Sequence, residues 1–191
     1  ADAKRTLSTS DPETAATTGA PTDASTKELV IFTAASASQT PHSTWDTARP
    51  ASNCIDGVLT SSSLDDLCTT QGVNAWFQID LGESKPVSMV RFYNIHIAGF
   101  QDKFNSHQIW VSDSATDPTS GTKCFEGTAP SIPGPIDEVC TSGTVEGQYV
   151  RVVKTEAGTK PLYLHEVQVM GPAPTSAPTV SPTPAPTYAP S

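Results

Sequence analysis

Short apolar runs rich in Val, Ile, Phe and Tyr fill the central part of the chain, separated by Gly, Pro, Asp and Ser. Residues 75–81 alternate between two faces, and Phe77, Ile79 and Leu81 form one apolar face. A period of two residues is typical of a strand with one buried face. We therefore predict six strands, at residues 29–33, 75–81, 88–94, 106–112, 149–154 and 163–170. Many short strands without a helical period predict an all-β fold, a β-sandwich or jelly roll.

Both ends of the chain differ in composition from the centre. Residues 1–28 contain one large aliphatic residue, Leu7, and the large apolar residues of the C-terminal segment are Val180 and Tyr188. Such segments bury too little apolar surface to offset the entropy lost on folding. We predict extended N- and C-terminal arms on a single folded domain: an arm at 1–28, the domain at 29–171 and a Pro-Thr tail at 172–191.

The tail repeats a proline every four residues, and a hydroxyl residue follows each of these prolines. Repeated Pro-Thr units are a pattern for O-glycosylation, and proline favours an extended polyproline II rod. The predicted O-glycosylation sites are Thr175, Thr179, Thr183, Thr187 and Ser191. The stretch is typical of a cell-surface spacer, and a plain interdomain linker is an equal alternative.

The net charge of −9 disfavours nucleic acid as a partner, because phosphate binding needs clustered Lys and Arg. The sequence has no run of 18 apolar residues, so we predict no membrane span. An acidic surface is usually a solvated one, but it could also bind calcium through oxygen ligands.

The chain has four cysteines, Cys54, Cys68, Cys124 and Cys140, and none forms a C-x-x-C motif. An even number of cysteines beside Pro-Thr sequence indicates disulfides and an oxidising, secreted or cell-surface location. Three pairings are possible. We favour the local one, Cys54–Cys68 with Cys124–Cys140, because it closes two loops of similar size.

The sequence contains no strong catalytic motif. The stretch His165-Glu-Val-Gln-Val169 lacks the second His of the H-E-x-x-H zinc motif, and no G-x-S-x-G stretch occurs. If both disulfides form, no cysteine is left as a nucleophile. We therefore predict that the protein is not an enzyme.

Several ordered segments occur along the chain in a recognisable order: 53–57 (NCIDG), Cys68, 76–82 (WFQIDLG), 87–94 (VSMVRFYN), the Cys124–Cys140 spacing, 147–152 (GQYVRV) and 164–169 (LHEVQV). Together they resemble the discoidin, or coagulation factor 5/8 type C, domains of the galactose-binding-like superfamily, and within it the F-type lectins. The resemblance covers about residues 29–171. It implies an eight-stranded jelly roll whose loops at one end bind sugars or lipid head groups, often with the support of a calcium ion.

The resemblance also implies a calcium site. Asp56 and Glu166 would supply carboxylates, and the other positions would supply backbone carbonyls, which suits the six or more oxygens that calcium prefers. Two departures stand out: His165 replaces a family cysteine, and Cys54 stands at a usually small apolar position. Without a metal, Asp56 would simply cap a turn. The positions are Asn53, Asp56, Val58, Leu67, His165 and Glu166.

F-type lectins that bind fucose use one His and two Arg. These positions fall at or near Thr70, Ile95 and Phe104, so that triad is not kept. Other residues in the corresponding loops could still offer an aromatic surface beside polar groups, although such aromatics more often close the end of the barrel. The candidate glycan-binding residues are Trp45, Thr70, His96, Gln101, Asp102 and Lys103.

Two functions follow from these observations. The first is a non-enzymatic subunit of an extracellular glycosylated fibre or coat that self-associates through its arms. In this hypothesis residues 29–32 pair with a strand edge of a neighbouring copy, and the competing interpretation makes them the first strand of their own domain. The second function is a calcium-supported lectin or adhesin on a Pro-Thr stalk.

Overall fold

Ten antiparallel strands form two sheets in the computed structural model, which describes residues 28–39, 49–72, 74–157 and 161–173. Within these ranges there is no α-helix, and no helix is long and apolar enough to cross a membrane. The strands are β1 (Leu29–Ile31), β2 (Ser36–Gln39), β3 (Cys68–Thr70), β4 (Trp76–Val87), β5 (Met89–Asn94), β6 (Ser106–Ser112), β7 (Thr122–Thr128), β8 (Ile136–Val139), β9 (Val145–Lys154) and β10 (Leu162–Pro172). Short 3-10 helices lie at Ala51–Ile55, Leu64–Asp66, Gln101–Lys103 and Pro118–Ser120.

The two sheets pack face to face as a sandwich. The first sheet has the strand order β1-β10-β5-β8, with β3 also paired to β10, and the second has the order β2-β4-β9-β6-β7. Phe77 and Ile79 of β4 lie in one core cluster with Phe92 of β5 and Leu164 of β10, and all four side chains are buried. The predicted all-β sandwich is confirmed, and the apolar face of residues 75–81 is the face that lies in the core.

All six predicted strands are present, and four further strands were not predicted. Strand β2 is short and polar (SASQ), β3 has only three residues, and β7 (TKCFEGT) and β8 (IDEV) carry charges within their runs. These segments are held by pairing with neighbouring strands, which a local hydrophobic pattern does not report.

Residues 29–32 belong to the sandwich of their own chain. Val30 lies opposite Gly171 in the antiparallel β1–β10 pair, and the Phe32 N–H donates to the Val169 carbonyl at 2.9 Å. This agrees with the competing interpretation, in which the segment is the first strand of its own domain. Pairing of the segment with a neighbouring copy stays a prediction, because β1 is an edge strand of its sheet. The remainder of the predicted arms, residues 1–27 and 174–191, and the predicted O-glycosylation sites lie outside the described residues.

Both disulfides have the predicted local pairing. Cys54–Cys68 ties the first 3-10 helix to β3. Cys124 lies in β7 and Cys140 follows β8, so the second bond links edge strands of different sheets. Because β7 and β8 are not paired by hydrogen bonds, this bond closes one side of the sandwich covalently.

Candidate ligand-binding loops and metal site

The loop from Arg49 to Leu67 carries most of the predicted metal ligands and is held by its own contacts. The Cys54–Cys68 bond anchors its first 3-10 helix. The Asn53 side-chain amide donates to the carbonyls of Asp65 and Leu67, at 2.8 and 3.1 Å. The loop therefore has a defined backbone, and Asn53 and Leu67, both predicted ligands, lie side by side.

The turn at Gly57 brings Asp56 to Glu166 across the fold. The Gly57 N–H donates to Glu166 Oε2 at 3.2 Å, and the Val58 N–H donates to Asp56 Oδ1 at 2.9 Å. Gly57 has a φ of +85°, a conformation that glycine adopts without the steric cost of a side chain. Two carboxylates separated widely in the sequence thus meet at one turn.

Glu166 is buried although it is a carboxylate. Burial, with a smaller contribution from the charge of Asp56, raises the pKa of Glu166 to about 7. Burial destabilises the charged form of a carboxylate unless a cation or hydrogen bonds compensate the charge.

A β-bulge lies at the same place. The pairing of β10 with β5 shifts between Leu164 and Glu166, so His165 has no register partner in β5. Bulges often occur where a strand contributes to a site, because they turn a residue out of the regular ladder. The predicted ligands His165 and Glu166 are the two residues at this irregularity.

These residues fit calcium in part. Asp56 and Glu166 offer hard carboxylate oxygens at one turn, Val58 belongs to the same turn, and Leu67 and His165 lie beside it in the loop and at the bulge. The described part of the chain has no group of three or more His, Cys, Asp or Glu side chains that could hold a metal. Backbone carbonyls would therefore have to supply most of the coordination, as the family resemblance implies.

A second feature of these loops is a shallow pocket near the turn at Gly57, which we call the metal-ligand turn because it carries the predicted ligands Asp56 and Val58. Thr60, Ser61, Ser62 and His96 line it, and His96 is exposed. The His96 and His165 rings lie with their centroids 5.9 Å apart. We refer to the four lining residues as the hydroxyl pocket.

His165 lies fully buried next to the hydroxyl pocket. Neither of its ring nitrogens has a hydrogen bond within the described structure, although the backbones of Asp66 and Ser61 lie near. Burial, followed by the nearby His96, lowers the pKa of His165, so the ring is neutral around pH 7. Buried polar atoms without partners are rare, and they often indicate a missing water, ion or ligand.

The three fucose-triad positions are all interior. Thr70 is 1% exposed in β3, and Ile95 and Phe104 are 0% exposed. Their side chains are packed, so the structure does not bring the candidate Thr70 to a surface where a sugar could contact it. Ile95 instead packs in a small apolar cluster with Leu67 and Tyr163.

The other candidate sugar-binding residues are distributed between two places. Gln101, Asp102 and Lys103 form one 3-10 helix, in which Lys103 pairs with Asp102 at 3.3 Å and the Asn94 side chain donates to the Gln101 carbonyl. His96 is the one candidate that lines the hydroxyl pocket. Trp45 lies outside the described residues.

Sequence reasoning missed the three hydroxyl residues of this pocket. They belong to the run Thr60-Ser-Ser-Ser63, a few residues after the Asp56-Gly57 turn. Such a run is also typical of an ordinary polar loop, so only its position beside His96 and His165 distinguishes it.

An antiparallel sandwich with ligand residues in the loops at one end is the architecture of galactose-binding-like domains. The family model of the NedA-like, galactose-binding domain (coagulation factor 5/8 type C) matches residues 53–152, which is more than half of the 191-residue chain. The chain belongs to this family. A comparison with curated protein sequences found no match.

Several solved structures share this fold. A fucolectin from striped bass serum has a TM-score of 0.60 and 22% identity over 72% of this chain, and the chain spans 45% of that protein. The family 32 carbohydrate-binding module of NanJ from C. perfringens, solved with galactose, has a TM-score of 0.59 and 15% identity, covering 75% of this chain and all of that one. A fucose-binding module from Streptococcus pneumoniae has a TM-score of 0.55 and 18% identity, covering 73% and 94%.

Proposed function

We propose that this protein is a carbohydrate-binding module that binds its ligand at the hydroxyl pocket. The observation that carries the proposal is its membership of the galactose-binding domain family, together with this polar pocket in the loops beside the predicted metal-ligand turn. Of the two functions derived from the sequence, the comparisons favour the lectin over the fibre subunit. Assembly through the arms stays a prediction, because those residues lie outside the described ranges.

The pocket has suitable chemistry for a sugar. Thr60 and Ser62 expose hydroxyls that both donate and accept hydrogen bonds, and His96 adds an aromatic ring with polar nitrogens. The buried His165 ring lies 5.9 Å from the ring of His96 and does not itself reach the surface. Because the triad positions Thr70, Ile95 and Phe104 are buried, we expect recognition to differ from that of fucose-binding members.

A calcium ion bound by Asp56 and Glu166, with carbonyl oxygens from Asn53, Val58, Leu67 and His165, would support this loop. The ion would supply positive charge that offsets the two facing carboxylates and would fix the turn at Gly57. The residues themselves orient the loop: Asn53 holds Leu67, and the Gly57 N–H holds Glu166.

The protein would act by binding and not by catalysis, as is general for this family of carbohydrate-binding domains. The two disulfides suit an oxidising compartment, so we propose a secreted or cell-surface location.

A glycan array probed with the full chain tests the function, with binding expected to at least one group of glycans. The best glycan is then titrated against Thr60→Val and His96→Ala, and each variant should weaken binding about tenfold, because one hydrogen-bonding group is lost in each. Thr122→Val, an exposed change on β7 in the second sheet, is the matched control and should bind like the wild type.

An array without specific binding contradicts the proposed function. Binding that survives both pocket substitutions contradicts the location of the site and leaves the function standing.

A further inference from the structure

A buried acid and a buried imidazole face each other inside the sandwich. Glu138 of β8 and His107 of β6 point inward from different sheets, with side chains 8% and 1% exposed. The His107 Nε2 lies 3.9 Å from Glu138 Oε1. Buried ionisable groups are uncommon in a core, since a charge there loses its hydration.

The hydrogen bonding of His107 defines its tautomer. Its Nδ1 lies 2.9 Å from the Asn105 carbonyl, which can only accept, so Nδ1 carries the proton. In the neutral ring Nε2 is then an acceptor, and no donor reaches it within the described structure. Glu138 Oε1 lies 3.9 Å from this nitrogen, a contact that is too long for a hydrogen bond.

The surroundings favour neutral groups. The rings of Phe92, Phe104 and Phe125 lie around His107, with centroid distances of 5.7, 4.5 and 5.6 Å. Burial raises the pKa of Glu138 to about 7, with a smaller contribution from the charge of Asp137, and burial lowers the pKa of His107.

Other charged groups lie near the pair. Buried Lys154 is the cross-strand partner of His107 in β9 and has contacts of its own. Asp137 faces outward in an ion pair with Arg91, and Glu156 accepts a hydrogen bond from Asn105 at 3.0 Å.

The pair lies beside the disulfide that closes this side of the sandwich. Phe125, which packs against His107, follows Cys124, and Glu138 precedes Cys140 by two residues. Strand β8 pairs with β5 alone, and the disulfide, the Thr141 N–H that donates to the Cys124 carbonyl at 2.7 Å and the contact of Glu138 with His107 tie it to the second sheet.

We propose that the facing atoms of Glu138 and His107 hold one proton between them inside the core, and that release of this proton at alkaline pH loosens the β7–β8 side of the sandwich. The proton sits on Glu138, and the facing Nε2 of His107 carries none; at 3.9 Å the two atoms are in contact but do not form a hydrogen bond. Release of the proton to solvent leaves a buried carboxylate facing the Nε2 lone pair, and the two repel each other. The contact between Glu138 and His107 would thus be pH-sensitive, and it is separate from the proposed sugar site.

The direction of the pH effect follows from linkage. The folded pKa of Glu138 is raised, so its stabilising contribution is complete below its unfolded value near 4.5 and is lost as the pH rises through about 7. The folded pKa of His107 is lowered, so its charging opposes folding as the pH falls below about 6.5.

Unfolding of the full chain is measured in urea between pH 5.5 and 8.5 for the wild type and Glu138→Gln. Relative to Glu138→Gln, the wild type should lose at least about tenfold in its folding equilibrium constant over this range, since each pKa unit of difference corresponds to a factor of ten. The variant is the reference because the opposite contribution of the histidines is present in both proteins, whereas the Gln amide is uncharged at every pH. Glu166→Gln, which removes the other acid whose pKa is raised to about 7, should leave the contribution of Glu138 in place.

Loosening of the β7–β8 side is read from the relative rate at which dithiothreitol reduces the two disulfides. The Cys54–Cys68 bond in the same molecule is the control, and the ratio of rates cancels the pH dependence of the reductant. The reduction rate of Cys124–Cys140 divided by that of Cys54–Cys68 should rise at least about threefold from pH 6 to pH 8.5 in the wild type. The same ratio should stay constant in Glu138→Gln. A constant ratio of reduction rates in the wild type would contradict the loosening of the β7–β8 side at alkaline pH.

A measurement on the wild type alone tests the proposal even if Glu138→Gln does not fold. The ¹³C shift of the Glu138 carboxyl group should titrate with a midpoint near neutral pH. A midpoint near 4.5, or identical pH slopes for the wild type and Glu138→Gln, overturns the proposal that Glu138 holds this proton.

Discussion

Cys124 of β7 and Cys140, which follows β8, join edge strands of different sheets, and beside this bond the Thr141 N–H donates to the Cys124 carbonyl at 2.7 Å. The chain passes between the sheets on both sides of the sandwich, from β1 to β2 on one side and from β7 to β8 on the other. The β7–β8 side therefore has a covalent side-chain bond in addition to the backbone connection.

Replacing Cys124 and Cys140 together by Ser should lower the free energy of unfolding by about 3 kcal/mol, the loop entropy for a bond of this span. The residues are 16 apart, and Cys54 and Cys68 are 14 apart, so loop entropy alone gives both double variants a similar loss. Urea unfolding checks both. A loss below about 1 kcal/mol for the Cys124–Cys140 double variant would show that the contacts between the sheets hold the sandwich together without this disulfide.

The proposed calcium site predicts that calcium raises the melting temperature of the full chain as its concentration rises, because an ion that binds only the folded state stabilises it. At a hundredfold excess over its dissociation constant the gain is about 2.7 kcal/mol. Asp56→Asn should abolish the rise, whereas Glu146→Gln, which removes an exposed charge in β9, should keep it. Scanning calorimetry with calcium and with a chelator makes the measurement. Identical curves in both would rule out the metal.

Arg151 is held on the outer face of the second sheet by three groups. Its Nε donates to Gln78 Oε1 at 2.8 Å, its Nη2 donates to the Ala115 carbonyl at 2.9 Å, and its guanidinium lies 4.3 Å from the centre of a Trp76 ring. Arg151→Lys should cost about 1–3 kcal/mol, because a lysine cannot make the forked contacts. Thermal unfolding measures this loss. Lys123→Gln, at an exposed cation near Trp110, should change stability by less than about 0.5 kcal/mol.

Asp137 should contribute to stability in the opposite pH range from Glu138. It accepts hydrogen bonds from Arg91 Nε and Nη2 at 2.6 and 2.8 Å, and Arg91 lowers its pKa. Its contribution is therefore present above the usual value of 3.8 and is lost as the pH falls through the lower folded pKa.

Asp137→Asn should cost up to about 1 kcal/mol at pH 7, because the pair is partly exposed, and nothing near pH 2. Unfolding curves at these two pH values test it, with Asp102→Asn as a control in an exposed pair. An equal cost at both pH values would mean that packing, and not charge, is responsible.

The sequence predicted the fold class through its longest periodic segments. Phe77, Ile79 and Leu81 revealed the buried face of β4, because burial of one sheet face imposes a period of two on the local sequence. It also indicated family membership and the local disulfides. The four further strands were not predicted: β2, β3 and β8 are short and pair with strands distant in the sequence, and β7 carries charged residues within its run.

For the candidate site, the sequence supplied residue types and the family supplied their roles. Asp56 and His96 were identified in this way, whereas Thr60 and Ser62 looked like any polar loop. Thr70 was selected by its alignment position, and only the structure reveals that its side chain is buried.

By itself, the sequence determined the all-β class, the local disulfide pairing and the oxygen chemistry of the Asp56 turn, because each depends on neighbouring residues. Only the tertiary structure decided that Glu166 meets Gly57, that Leu29–Ile31 completes its own sheet, and that Glu138 points inward at His107. These three facts depend on strand order and register, which bring together residues far apart in the sequence. Their energies arise from burial and hydrogen bonding that exist only in the folded chain.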